Sequence, residues 1–409
     1  MIGVTNNSII ALAGAKGNND SQESESDGRR ATVLQVLPRL EAGGGVERGT
    51  VEIAAAIAEA GGRALVASAG GDLVHALTRV GAEHVTLPVD SKNPFVMHAN
   101  IDRLADLIKA EGVDIVHARS RAPAWSSYYA AKRSGCHFVT TFHGTYGAEG
   151  FLKRRYNSVM TRGERVIAIS AFIAGHMRQI YGVDIPRIRV IHRGVDLDRF
   201  DPEKVSAERR VALATQWRLD DGCPVVMLPG RLTRWKGQRV FIDAIGKLGR
   251  RDIRCVLVGS DQGRTDYRRE LEDLVESRGL GEVIRIVDYC DDMAAAYLLT
   301  DVVVSASTDP EAFGRVVAEA QALGRPVIAS DHGGARETVI VGETGWLSPP
   351  GDAGALAEAI DRVLSLDEAE RAKLSEKAIR HVREKFSRTT MCARTLDVYN
   401  EVLHLEETS

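Results

Sequence analysis

An α/β chain made of two doubly wound parallel sheets is the fold that this sequence predicts, and three observations predict it. From Thr32 onward, short β-branched or Leu-rich runs alternate with amphipathic helical patterns at the spacing of βαβ units. The rhythm is interrupted over 194–224, where Asp198, Asp201, Pro202 and a charged helical stretch carry little strand signal, and it then restarts. With 409 residues, 44% hydrophobic and 27% charged, the chain is long and apolar enough for two soluble cores.

Taken in order, residues 1–30 are rich in Asn, Ser, Asp, Glu and Gly, lack a repeating apolar face and read as a mobile tail. A first unit over 31–200 carries strand patterns at 32–37, 64–68, 84–87, 114–118, 137–142, 165–169 and 189–192. A second, over 201–387, carries them at 224–228, 254–258, 283–287, 301–305 and 326–330. The segment 194–224 is the expected linker. A helix at about 388–409 closes the chain. In doubly wound folds ligands meet the carboxyl ends of the strands, so a nucleotide-sized cleft is expected between the units.

Composition removes several classes of function. A net charge of -3 argues against nucleic-acid binding, which needs a clustered positive excess. Five widely spaced cysteines, Cys136, Cys223, Cys255, Cys290 and Cys392, fit neither a disulfide framework nor a zinc site and read as buried thiols in a reducing cytoplasm. No apolar run approaches the roughly 18 to 20 residues of a membrane span. Met1 and the residues up to Ser8 lack the positive charge of an export signal.

The richest stretch is 308–319, Thr-Asp-Pro-Glu-Ala-Phe-Gly-Arg-Val-Val-Ala-Glu, just after an apolar strand. Pro310 and Gly314 punctuate a loop, and Gly314 or Arg315 opens a helix whose free amides point at it. Glu311 and Glu319 are eight residues apart, roughly 12 Å of rise on a helix. A glycosidase pair sits only about 5 to 9.5 Å apart, so these two carboxylates should touch different parts of one long ligand.

Three further loops follow strands. Gly43, Gly44 and Gly45 precede Val46-Glu47 and open a long helix, an arrangement able to cradle a diphosphate on backbone amides. The dinucleotide fingerprint is incomplete, because Gly49 falls two residues late and no acid closes the second strand. Arg231 and Lys236, in Pro229-Gly230-Arg231-Leu232-Thr233-Arg234-Trp235-Lys236-Gly237, can clamp a diphosphate as two fixed cations. His143, between Phe142 and Gly144, ends another strand with room to face a ligand.

Asp331-His332-Gly333-Gly334-Ala335-Arg336-Glu337 is read either as a ligand turn or as a plain helix start. Arg119, Arg121, Lys153 and Arg154 belong to a basic region around Leu152, Tyr156, Val159 and Met160, taken as one apolar stripe. That face suits an anionic glycolipid acceptor or a membrane surface, or else it packs on the core with a solvated basic side.

The Glu311…Glu319 block, the Gly-Arg-Leu…Lys-Gly run at 230–237, Gly44-Gly45-Val46-Glu47 and His143 together resemble retaining glycosyltransferases of the family-four, group-one type over about 32–400. That resemblance implies the GT-B fold: two Rossmann-like domains facing across a cleft, with the last helix returning to the first domain. It implies that Glu311 contacts donor sugar hydroxyls and Glu319 the ribose, while His143 lies beside the sugar. Arg231, Lys236, Gly44, Gly45, Phe313, Gly314, Arg315 and Val316 would complete the donor site. No metal and no cofactor beyond the nucleotide-sugar co-substrate are implied.

The run His117-Ala118-Arg119-Ser120-Arg121-Ala122-Pro123-Ala124-Trp125 looks like the lipopolysaccharide-core mannosyltransferase branch. Its members would use GDP-mannose and an acidic glycolipid, at the inner face of the cytoplasmic membrane. One departure is plain: the usual Pro-Asn-Gly-Val-Asp turn reads His192-Arg193-Gly194-Val195-Asp196. The same fold using a UDP- or ADP-sugar donor for another polysaccharide or glycolipid is the nearest alternative, and a sugar-nucleotide epimerase and a non-catalytic nucleotide-sugar-binding subunit are the two rival classes. Free epimerised sugar nucleotide without acceptor would mark the first, and intact Glu311, Arg231, Lys236 and His143 speak against the second.

Overall fold

The computed structural model describes residues 30–42, 44–147, 150–219 and 222–404. The expected tail, apart from Arg30, and Gly43 lie outside them. The chain divides into two compact units, residues 1–194 with 389–409, and 195–388.

In the first unit seven parallel strands run β1 (Thr32–Val36), β2 (Arg63–Ser68), β3 (Glu83–Thr86), β4 (Ile115–Ala118), β5 (His137–Phe142), β6 (Arg165–Ala168) and β7 (Ile188–Val190). Their spatial order is β3-β2-β1-β4-β5-β6-β7. Strands β1 and β4 are buried along their whole length, which explains why they read as continuous apolar runs rather than alternating ones. They also mark the place where strand order reverses, so the loops leaving them diverge and expose a crevice at their carboxyl ends.

The second unit repeats the plan with β8 (Val225–Pro229), β9 (Arg254–Val258), β10 (Ile284–Val287), β11 (Val302–Ser305), β12 (Val327–Ser330) and β13 (Trp346–Ser348). The order is β10-β9-β8-β11-β12-β13, with the reversal between β8 and β11. Strand β13 has no counterpart in the sequence reading. It is three residues long and carries no period, and only its parallel pairing with β12, Ile328 opposite Trp346, makes it a strand.

Of the segment 194–224, expected as a linker, all but Gly194 is part of the second unit. Its helix Ala207–Trp217 buries Leu213 and Trp217. The Val195 amide donates to the Phe386 carbonyl at 2.7 Å, and the Arg388 amide donates to the Val195 carbonyl at 2.9 Å, tying the two passages between units side by side. The charged helical stretch read there is a helix; what its composition concealed is its buried stripe. The last helix, Arg388–Leu403, belongs to the first unit, where Met391, Val398, Tyr399 and Val402 share a core with Val33, Ile53 and Ile115.

None of the five cysteines forms a disulfide among the described residues; Cys255, Cys290 and Cys392 are buried, whereas Cys136 and Cys223 are half-buried. Burial pushes the Cys136 thiol up to about 12, so it is protonated and inert at neutral pH. No helix among the described residues is long and apolar enough to cross a membrane.

Candidate active site

Glu311 lies in the loop between β11 and the helix Arg315–Ala322, not on the helix itself. The 12 Å helical rise assumed between Glu311 and Glu319 therefore does not apply, since the helical path begins only at Arg315. Lys236 Nζ is 2.8 Å from Glu311 Oε1, and the two side chains are 13% and 15% exposed. Ser307 Oγ donates to the same oxygen at 2.5 Å and Ser305 Oγ at 3.2 Å.

Burial by itself would raise the Glu311 carboxyl, but the Lys236 ammonium and the two hydroxyls outweigh it and hold the group below its ordinary value. Glu311 is thus ionised near neutrality and acts only as an acceptor. Lys236 also lies over the Trp235 ring at 4.4 Å, leaving donor capacity for an incoming anion. Ser305 and Ser307 were missed by the sequence reading. Their only local signal is a pair of hydroxyls two residues apart at a strand's carboxyl end.

Close backbone packing holds this loop. The Gly334 amide donates to the Glu311 carbonyl at 2.8 Å. A Cβ at Gly333 would collide with the Glu311 backbone, and one at Gly334 would come within 2.5 Å of Phe313 Cα. His332 Nε2 meets the Ser307 carbonyl at 2.8 Å. The Gly333-Gly334 turn therefore supports Glu311 from beneath, a role for which side chains leave no room.

Around this centre the other predicted residues divide. Arg231 is exposed, and its carbonyl accepts from Gln238 Nε2 at 2.9 Å, fixing the loop that presents it. Gly314 caps the helix with φ 87, a left-handed conformation that a side chain would strain. Glu319 is buried; Arg315 Nη2 holds one of its oxygens at 2.8 Å and Tyr297 Oη donates to the other at 3.1 Å. Phe313 is 3% exposed and packs edge-on against Phe386 at 5.4 Å, so its ring is a prop for the loop. Val316 is half-buried in the first turn.

In the first unit Gly44 precedes the helix Gly45–Glu59 in extended conformation, with no side-chain cap. Glu47 folds back over it, since a Cβ at Gly44 would collide with the Glu47 carboxylate. The Glu47 carboxylate thus occupies the space beside Gly44, at the end of the helix where phosphate was expected. His143 is half-buried, and both its ring nitrogens are shielded from solvent without a hydrogen-bond partner. Burial, with Arg193, Arg119 and His117 nearby, drives its imidazole well below 6.5, so it is neutral.

His117 is spoken for: its ring nitrogens meet Tyr399 Oη at 2.6 Å and Thr141 Oγ1 at 2.7 Å. Arg121 stacks over Tyr146 at 4.3 Å. The predicted apolar stripe is not continuous. The helix Phe151–Asn157 tightens into a 3₁₀ turn, Ser158–Thr161, which rotates Val159 and Met160 into the core while Leu152 stays 80% exposed beside Lys153 and Arg154.

Two parallel sheets in one chain, each with polar groups gathered where its strand order reverses, are the plan of the GT-B class of sugar-transferring enzymes, and solved glycosyltransferases align with it. Residues 43–199 match the family described as Glycosyltransferase Family 4, and residues 212–381 match Glycosyl transferases group 1. A D-inositol 3-phosphate glycosyltransferase of Xylanimonas cellulosilytica is 32% identical over 311 residues, 72% of this chain and 74% of the relative. The structure of a glycosyltransferase from Rickettsia africae aligns with a TM-score of 0.86 and 38% identity over 92% of this chain and all of that one. Anabaena HepE, solved with UDP and glucose, aligns at 0.77 and 25% identity, covering 90% of this chain and 98% of its own. The chain belongs to the group 1 glycosyltransferases and is an enzyme of that kind.

Proposed function

We propose that the chain transfers a hexose from a nucleoside diphosphate sugar to a glycolipid or lipopolysaccharide-core hydroxyl, with retention at the anomeric carbon. The Glu311–Lys236 pair carries this reading, because it sets an ionised acceptor for sugar hydroxyls beside a cation for the diphosphate. In the reaction the bond from the anomeric carbon to the diphosphate oxygen breaks as the acceptor oxygen bonds on the same face. The acceptor proton passes to the departing phosphate oxygen. Arg231 and Lys236 stabilise the charge that develops there, taking the place of a metal ion. Glu319 receives the ribose while Arg315 and Tyr297 keep its carboxylate fixed.

GDP-mannose is the proposed donor, on the resemblance around Arg119 and Arg121. A UDP-hexose is the second reading, favoured by the likeness to HepE, whose structure holds UDP and glucose. The names of the curated relatives favour an inositol phosphate as its acceptor. The test is thermal stabilisation of the protein by GDP, UDP, ADP and their sugar conjugates. A ligand at about 100 times its dissociation constant adds roughly 2.7 kcal/mol. A shift with GDP and GDP-mannose that is lost in Glu319→Ala supports the first reading. A shift confined to UDP ligands replaces it with the second, and no shift with any nucleotide removes the donor assignment.

A further inference from the structure

The charged group that the donor reading leaves unused is Arg119. It follows β4 at the reversal of the first sheet, is 3% exposed, and has its Nε shielded without a hydrogen-bond partner. Among the described residues its guanidinium forms no ion pair; Glu52 and Glu47 act on it only from a distance. A buried, ionised guanidinium left without a partner is costly unless a ligand completes it.

A second guanidinium lies beside it. A Cβ at Gly49 would sit 2.6 Å from Arg193 Nη1 and 3.1 Å from Arg119 Nη2, so both arginines converge on one helical glycine. Arg193 is 8% exposed. His143 shares the neighbourhood, with both nitrogens unmatched and its ring neutral. Beneath, the Tyr399–His117–Thr141 chain of hydrogen bonds fixes the end of β4 that carries Arg119.

We propose that Arg119, with Arg193 beside it, binds an oxyanion of the phosphate class carried by a substrate, with His143 lending a neutral hydrogen-bonding group. The planar fork of a guanidinium fits such a group bidentately. This rests on the glycosyltransferase reading for its substrate, but the anion site itself stands on the first unit's own geometry. The oxyanion belongs either to the acceptor or to the donor's diphosphate.

The experiment is calorimetric titration of the full chain with inorganic phosphate at constant ionic strength, with and without saturating GDP or UDP in separate runs. Phosphate that binds in the presence of the nucleotide that the protein takes, and about tenfold or more weaker in Arg119→Gln, assigns the group to the acceptor. Phosphate competing with that nucleotide, together with a similar loss of nucleotide affinity in Arg119→Gln, assigns it to the donor. Gly49→Ala guards against misfolding, because it keeps Arg119 and improves helix propensity while its methyl crowds both guanidiniums. Binding of phosphate and nucleotide at wild-type strength by both variants overturns the proposal. Arg119-dependent phosphate binding with no response to any nucleotide would keep the site and remove the donor reading.

Discussion

The two units carry the same sheet plan but keep their shielded polar groups in opposite conditions. In the second, Glu311 is matched by one cation and two hydroxyls, and two glycines lock its loop. In the first, Arg119 and His143 are sequestered with nitrogen atoms that no described residue satisfies. A satisfied polar network is preorganised and adds stability; an unsatisfied one holds a cost until something binds. On the proposed readings the second unit presents a fixed site and the first receives a group.

The largest break in that contrast is Lys236→Ala. It strands a mostly buried carboxylate, and removing one partner of such a pair costs about 3–5 kcal/mol. Losing the cation also slows transfer by about 10²- to 10³-fold. Thermal melts and product assays read the two effects separately, and an unchanged melting temperature would mean that the pair is not what holds the loop.

Arg231→Gln separates chemistry from stability. Its side chain is exposed and makes no ion pair among the described residues. Transfer should fall by about 10²-fold while stability stays within about 0.5 kcal/mol. A matching loss of stability would show that Arg231 supports the loop rather than the diphosphate.

Glycine swaps sharpen the comparison further. Gly334→Ala crowds Phe313 from 2.5 Å and should cost about 1–3 kcal/mol and raise the donor KM. Gly144→Ala, beside His143, meets nothing within 4 Å and should leave the melting temperature alone. Equal effects at the two sites would erase the distinction between a locked loop and an open one.

The smallest effect is on pH dependence. Burial holds His117 and His143 below 6.5, so at lower pH the unfolded chain binds protons that the folded chain refuses. Stability should be full above about 6.5 and decline as pH falls through that value toward the folded values. His143→Asn should flatten part of the decline measured in melts between pH 7.5 and pH 5.5.

Much of the site was legible. Glu311, Lys236 and Gly314 follow strands, and glycines near a strand's end foretell close backbone approach. The second carboxylate was found by spacing, yet its distance along a helix was misjudged because Gly314 starts the helix three residues after Glu311. The apolar stripe of the basic region failed for a related reason: a 3₁₀ turn changes the period, and pattern reading assumes that the period is constant.

By itself the sequence determined the repeating α/β plan, most strand positions and the residue types available at each strand's carboxyl end. These depend on local periodicity and turn chemistry, which neighbouring residues carry between them. Only the tertiary structure decided which of those residues meet. Lys236 and Glu311 are 75 positions apart, and His117 and Tyr399 are 282 apart. Such partners are chosen by where strand order reverses and by what the packed neighbours leave unsatisfied, and neither property is written in any short stretch of chain.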